Sequence, residues 1–322
     1  MSKQKFNHII YHKGCLDGFC GFFIAHMSGQ LSRDVVIFED MPSTQRIPPD
    51  IKDKDLIIID VAYKKEIIEG IISEAKSVVF IDHHISIKDD IEKLKEKYNN
   101  VKIIYDEEEC GSSLAWKYFN ARQEMPKFLE YVKDQDLGKW EIKETRRFLY
   151  ALKTYFHLST ESKSLNKWFR LLREDDMKKL MKRGRYMEKF MNHLINVNMP
   201  NHSLESFPSK LIYDANPELY TKVGQYRVAL YCGQNCPSSS DLGFYALKKI
   251  DCDMCMFWIY NLDTKKYIIS IRSNKDTDVS KIAKSLGGGG HKQASSFSFY
   301  ESQYSINDIF EGKSLQRKYK EN

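Results

Sequence analysis

Asp82, His83 and His84 stand together at the end of the apolar run SVVFIDHHIS, and two imidazoles beside a carboxylate are donor groups for a divalent cation. They are not isolated. The run FNHIIYH ends in His12, DLIIID in Asp60 and VKIIYD in Asp106, so four runs rich in β-branched residues each finish on a group able to bind a cation. Imidazole mixed with carboxylate suits Mn²⁺, Fe²⁺ or Zn²⁺ better than Ca²⁺, which prefers oxygen alone. Carboxylates gathered in one place repel one another unless cations lie between them, which argues for at least two metals. A metal pair of this kind supports in-line phosphoryl displacement by water.

To bring these groups together, the runs must be parallel strands joined by helices such as CGFFIAHM and IEKLKEKYNN, with their carboxyl ends converging on one crevice. CGSS (110–113) reads as the capped start of another helix, LAWKYF. From about 165 to 199 the sequence is almost wholly helix-forming, broken mainly at Gly184 and stopped at Met199-Pro200, which is the pattern of a connector. Beyond it YRVALYC, a helix over SDLGFYALKKI, and the pair CMFWIY and YIISIRS around the polar turn NLDTKK announce a second α/β domain. The expected architecture is therefore α/β: a parallel-sheet domain over 1–165 with helices on both faces, a helical connector over 166–204, and a smaller α/β domain over 205–322.

Five segments in order, YHKGCLDGF (11–19), IIIDV (57–61), FIDHH (80–84), Asp134-Gln135-Asp136 before Trp140, and GGGGH (287–291), resemble the DHH phosphoesterase superfamily. The likeness is to members with a C-terminal DHHA1 domain, among them nanoRNases, phosphoadenosine-phosphate phosphatases and RecJ-type exonucleases, and it covers nearly the whole chain. It implies two divalent cations, with Mn²⁺ favoured, bridged by Asp60, one bound by His12 and the other by Asp17 and His83. One aspartate of Asp134 and Asp136 completes the set; Asp134 is favoured because in related sequences the ligand follows directly on the apolar segment, here FLEYVK. Many members carry two aspartates in the first motif, whereas this chain has Cys15 followed by Asp17. A thiolate also binds metal, so Cys15 joins the candidate ligands, with a buried thiol beside the metals as the alternative. His84 is placed to contact the phosphate or the leaving oxygen, and Asp82 to orient an imidazole.

Four consecutive glycines, Gly287, Gly288, Gly289 and Gly290, let backbone N–H groups approach an anion without side-chain obstruction. His291 follows at once and Arg272 closes YIISIRS. The resemblance makes these the DHHA1 grip on the terminal phosphate or nucleotide of a substrate.

The chain has 322 residues, 42% hydrophobic and 29% charged, enough for two cores, and a formal net charge of +6 that favours polyanionic ligands. No run approaches a membrane span and MSKQKFNHII lacks the apolar stretch of a secretory signal, so a cytoplasmic protein without membrane attachment is expected. Seven cysteines leave at least one free, and reduced thiols are the expectation. Cys232, Cys236, Cys252 and Cys255 read as small buried hydrophobes rather than a zinc cluster, since Cys252 and Cys255 on one strand would face opposite sides. The lysine-rich end after Tyr304 is expected to be partly mobile.

The activity implied is metal-dependent hydrolysis of short RNA or DNA oligonucleotides or small nucleotides to nucleoside monophosphates, by a homodimer or a single chain. A 3′-phosphoadenosine 5′-phosphate phosphatase and a cyclic-dinucleotide phosphodiesterase share the same constellation. RecJ-like action on long DNA fits less well, since no additional OB-type domain is evident and the charge excess is small for tracking a strand. A non-catalytic DHH-type binding subunit is the alternative of another class, disfavoured by the presence of His12, Asp17, Asp60, His83 and Asp134.

Overall fold

Short runs dominated by isoleucine, valine and phenylalanine build the N-terminal sheet: β1 (Phe6–His12), β3 (Asp55–Ile59), β4 (Ser77–Asp82) and β5 (Val101–Tyr105). A longer strand, β2 (Leu31–Asp40), completes it in the order β2-β1-β3-β4-β5 with every pairing parallel. The sequence motifs did not announce β2, whose short apolar run VVIF is flanked by charged residues and lies along an exposed edge of the sheet. The structure, a computed structural model, describes residues 5–41, 46–219, 225–233, 236–274 and 276–311.

Side chains alternate across the sheet. Ile9, Tyr11, Ile57, Ile59, Val79 and Ile81 enter a core with α1 (Leu16–Met27), α4 (Gly111–Asn120), α5 (Lys127–Asp136) and α6 (Thr145–Tyr155), whereas Ile10, Ile58 and Phe80 enter another with α2 (Lys65–Glu74) and α3 (Lys88–Lys97). Trp168, in α7 (Ser162–Trp168), is fully buried with the rings of Phe19, Phe23, Phe128 and Phe156 centred 5.0–6.5 Å away. Truncating an aromatic so enclosed costs about 3–5 kcal/mol. Because β1 has β2 on one side and β3 on the other, the sheet order reverses there, and the groups after the carboxyl ends of β1 and β3 flank a topological switch point.

α8 (Glu174–Asn198) runs unbroken through Gly184, correcting the expected interruption. A Cβ at that position would lie 2.1 Å from the Arg147 carbonyl oxygen, so the glycine serves close approach of a neighbouring helix. The chain divides into two compact units after Glu188, within this helix.

The second unit holds β6 (Ser203–Phe207), α9 (Lys210–Ala215), β7 (Tyr226–Cys232), α10 (Ser239–Ala246), β8 (Met254–Asn261), β9 (Lys266–Ser273), α11 (Val279–Ser285), β10 (Gly289–His291) and β11 (Ala294–Tyr300). Its sheet, β10-β11-β9-β8-β7-β6, is antiparallel apart from the β7–β8 pair. α10 covers one face and α9 with α11 the other. Cys252 precedes β8 rather than lying on it, and Cys252 and Cys255 are buried in the same core, not on opposite sides as the strand reading implied. After Tyr304 the chain continues into a turn of 3-10 helix that buries Ile309; the rest of the end, from 312, lies outside the described residues. Among the described residues no helix is long and apolar enough to cross a membrane.

Candidate metal centre and the glycine hairpin

β1 delivers His12 at its carboxyl end, and the chain then turns sharply through Gly14, whose φ of +68° is left-handed, to place Cys15 at the start of α1. Asp17, in the first turn of α1, is 1% exposed and is held from across the domain. The Gly111 amide donates to Asp17 Oδ2 at 2.6 Å, and the amide and hydroxyl of Ser112 donate to its Oδ1 at 3.0 and 2.5 Å. The amino-terminal end of α4 is thus a seat for a carboxylate. Glycine is required at 111 because a Cβ there would meet Asp17 Oδ2 and Asp60 Cβ at 2.8 Å each.

Asp60 follows β3 with φ +62°, a left-handed conformation that costs a non-glycine residue about 1–3 kcal/mol and is held by its N–H donating to the Ile81 carbonyl at 2.9 Å. Its two oxygens face different partners. Oδ2 lies 3.4 Å from His12 Nδ1, while Oδ1 lies 3.3 Å from His83 Nε2 and 3.8 Å from His84 Nδ1. His83 Nε2 is also 3.4 Å from Asp136 Oδ2 and 3.9 Å from Asp17 Oδ2. Asp82, fully buried, accepts at Oδ1 from the His83 and His84 amides and lies 2.7 Å from His84 Nδ1, so it fixes the second imidazole.

Three donor sets result, each with one atom per residue within 4.8 Å of the others: His12, Cys15 and Asp60; Asp60, His83 and His84; Asp17, His83 and Asp136. Among the described residues no hydrogen bond reaches the buried atoms His12 Nδ1, Asp60 Oδ2, His83 Nε2 and Asp136 Oδ2. Buried polar atoms of this kind call for a partner, and a divalent cation between imidazole and carboxylate would supply one.

Electrostatics point the same way. Burial, then the charge of Asp60, pushes the Asp17 carboxyl up, and burial with Asp17 and Asp60 raises Asp136 well above the carboxylate range. Burial opposes charge on Asp60 too, but the imidazoles of His12 and His83 hold its carboxyl below the ordinary range. His83 is raised to about 9: burial favours the neutral ring and is outweighed by Asp60, Asp136 and Asp17. His84 is raised to about 10 against its own burial, chiefly by Asp82. Positive charge is wanted throughout this cluster, and cations would supply what protons otherwise provide.

Two expectations are corrected. Asp134 is buried but faces away from the cluster: it accepts from the Glu141 and Ile142 amides at 2.8 and 3.3 Å and from the Thr145 hydroxyl at 2.5 Å, tying the loop before α6 to the end of α5. Asp136 occupies the cluster instead. Two residues apart on a helix point about 200° apart, so only one of the pair can face the site. Asp106, at the end of β5, is likewise outside the donor sets found among the described residues, and its Oδ1 accepts from the Glu108 amide at 2.9 Å in a local turn. The sequence reading missed Gly111 and Ser112 as the holders of Asp17; small and hydroxyl residues opening a helix were their only signal.

In the second unit, Arg272 on β9 donates through Nε and Nη2 to the Ser240 and Ser239 hydroxyls at 3.0 and 3.1 Å and through Nη1 to the Ile271 carbonyl at 2.7 Å. Ala294 on β11 lies opposite both Arg272 and His291, so these three share one face of the sheet with the alanine between the two longer side chains. His291 is exposed. The glycines before it have packing duties: a Cβ on Gly288 would lie 2.1 Å from the Ser296 carbonyl oxygen, and one on Gly290 (φ +140°) 2.6 Å from that of Ala294. Gly289 alone of these strand glycines has open space where a Cβ would stand.

Residues 244–311 match the DHHA1 domain model. An uncharacterized protein of Acanthamoeba polyphaga mimivirus, R106, is 26% identical over 313 residues, which are 92% of this chain and 68% of that protein. Among solved structures, the pGpG-specific phosphodiesterase PggH of Vibrio cholerae aligns over 92% of this chain and 94% of its own, at 12% identity and a TM-score of 0.50. A manganese-bound exonuclease RecJ aligns over 92% of this chain and 86% of its own at 14% identity, with a TM-score of 0.41. Residues 244–311 thus carry a DHHA1 domain, and the fold of the chain is similar to that of PggH.

Proposed function

We propose that this protein hydrolyses phosphodiesters in short oligonucleotides or small nucleotides, releasing nucleoside monophosphates, with two divalent cations, Mn²⁺ suiting the donors, held by His12, Cys15, Asp17, Asp60, His83 and Asp136. The observation that carries the reading is Asp60, whose two oxygens address separate donor groups from a strained, buried position. A cation pair there would supply an activated water and neutralise charge at phosphorus. The protein's own contribution is placement. Asp17, fixed by Gly111 and Ser112, and Asp60, fixed by its backbone, present oxygens that need no rearrangement. His84, pinned by Asp82 and protonated at neutral pH in the metal-free protein, is suited to meet the charge of the phosphate or to give a proton to the leaving oxygen. Arg272, His291 and the Gly288–Gly290 backbone are the groups we assign to the substrate's end, where the Arg272 bonds to two serines can be exchanged for bonds to a phosphate. PggH, of like fold, acts by its name on pGpG, a substrate of the proposed class.

A panel of labelled RNA and DNA from dinucleotides upward, with phosphoadenosine phosphate and cyclic dinucleotides, assayed with Mn²⁺, tests the reading. The expected result is turnover of the shortest oligonucleotides, abolished by Asp60→Asn with the thermal transition retained, since asparagine tolerates a left-handed φ. Near-native turnover by that variant would refute the two-cation assignment.

A further inference from the structure

The two halves of the centre differ in chemistry, and the difference lies in Cys15. Of the three donor sets among the described residues, Asp17, His83 and Asp136, like Asp60, His83 and His84, are nitrogen and oxygen only; His12, Cys15 and Asp60 include a sulfur within 4.8 Å of both partner atoms. The local chain enforces that proximity. Cys15 donates its N–H to the His12 carbonyl at 3.4 Å across the left-handed Gly14, a tight turn that returns the fourth residue beside the first. Its partners have bonding capacity to spare, since the buried His12 Nδ1 and Asp60 Oδ2 have no hydrogen bond among the described residues and Asp60 is 1% exposed.

Helix capping does not explain the residue type. Cys15 is the N-cap of α1, where serine, threonine, aspartate and asparagine are preferred. Nor is it simply one more core thiol: Cys20 and Cys110 are fully buried and belong to none of the donor sets, whereas Cys15 is half-buried and belongs to one.

We infer that the two cation seats are unequal: His12, Cys15 and Asp60 form a thiolate-containing seat that selects Fe²⁺, Co²⁺ or Zn²⁺, while Asp17, His83 and Asp136 form a harder seat that accepts Mn²⁺ or Mg²⁺. Sulfur donors favour the softer first-row ions and carboxylate sets the harder ones. The inference rests on the metal centre proposed above but not on its reaction. The protein with its full complement is thus a mixed-metal species, and Mn²⁺ alone fills the sulfur seat weakly.

Cobalt(II) titration of the metal-free full-length protein, followed by absorption and by equilibrium dialysis, tests this without any assay of hydrolysis. The expected result is a sulfur-to-cobalt charge-transfer band in the near ultraviolet that grows over one equivalent and stops, although two cobalt ions bind. Cys15→Asp should abolish the band, weaken Zn²⁺ at the tighter seat at least about tenfold and tighten Mn²⁺. Aspartate is a favoured N-cap, so the helix should be retained; Cys15→Ser, closer in size, is the second variant and should also lose the band. Two bound cobalt ions with no such band in the native protein would overturn the unequal seats while leaving the metal centre standing, as would a band that survives in both variants. Failure to bind cobalt at all would overturn the centre itself.

Discussion

At Gly111 an added Cβ would strike Asp17 and Asp60, and at Gly18 it would lie 2.7 Å from the Cβ of His12; at Gly288 and Gly290 it would strike the backbone of the neighbouring strand β11. In the first unit the glycines make room for charged side chains, and in the second they make room for their own hairpin. Polar groups divide in the same way. The first unit leaves buried imidazole and carboxylate atoms unsatisfied among the described residues, whereas the Arg272 guanidinium in the second is bonded to two serines and a carbonyl. One region holds clustered donor atoms that lack hydrogen bonds among the described residues, and in the other Arg272 is bonded within its own unit. A glycine run is therefore not in itself evidence of anion contact, since three of four positions here have a conformational or steric reason of their own.

The largest effect should separate Asp136 from Asp134. Asp136→Asn should reduce metal-dependent hydrolysis to background with the fold intact; Asp134→Asn should retain the donor set but lose about 2–3 kcal/mol of stability, because the amide mismatches a carboxylate site that accepts several buried hydrogen bonds. Denaturant melts and kinetics on both variants decide it, and a stable but inactive Asp134→Asn would reverse the assignment.

Next comes pH. A metal needs the neutral imidazole, so with His83 protonated below about 9 in the metal-free protein, Mn²⁺ affinity should rise about tenfold per pH unit towards that value and flatten above it. Isothermal titration across this range measures it; an affinity independent of pH would remove His83 from the donors.

The glycines themselves give a smaller, sharper comparison. Gly111→Ala and Gly288→Ala should each destabilise by about 1–3 kcal/mol through overpacking, but only Gly111→Ala should also weaken metal binding. Gly289→Ala has open space for its methyl and should change stability by less than about 0.5 kcal/mol. If the hairpin grips the substrate's end, Gly289→Ala and His291→Ala should raise KM for a dinucleotide while sparing bis-p-nitrophenyl phosphate, which has no such end to grip. Equal losses on both substrates would place these residues in the chemical step instead.

The sequence alone determined the parallel strands of the sheet centre, because the runs LIII within β3 and VVFI within β4 are apolar without interruption, as strands buried on both faces must be. It also pointed to His12, Asp60 and His83 sharing a crevice, since they follow the carboxyl ends of adjacent parallel strands beside the switch point, although the same reasoning overreached at Asp106 after β5. What it did not determine was every choice made by orientation. Both Asp134 and Asp136 stand on α5, and which carboxylate faces the centre is set by how that helix packs on α4 and α6, not by either residue's type. The edge strand β2 was overlooked although it holds the run VVIF, which is short, flanked by charged residues and set along an exposed edge, and Gly184 looked like a helix break because a close helix contact leaves no mark on the sequence besides the glycine itself. The seat for Asp17 is the clearest case: Gly111 and Ser112 lie more than ninety positions away, and only tertiary structure brings a helix start to a distant carboxylate, because that hydrogen bonding is a property of packed elements and not of neighbours in the chain.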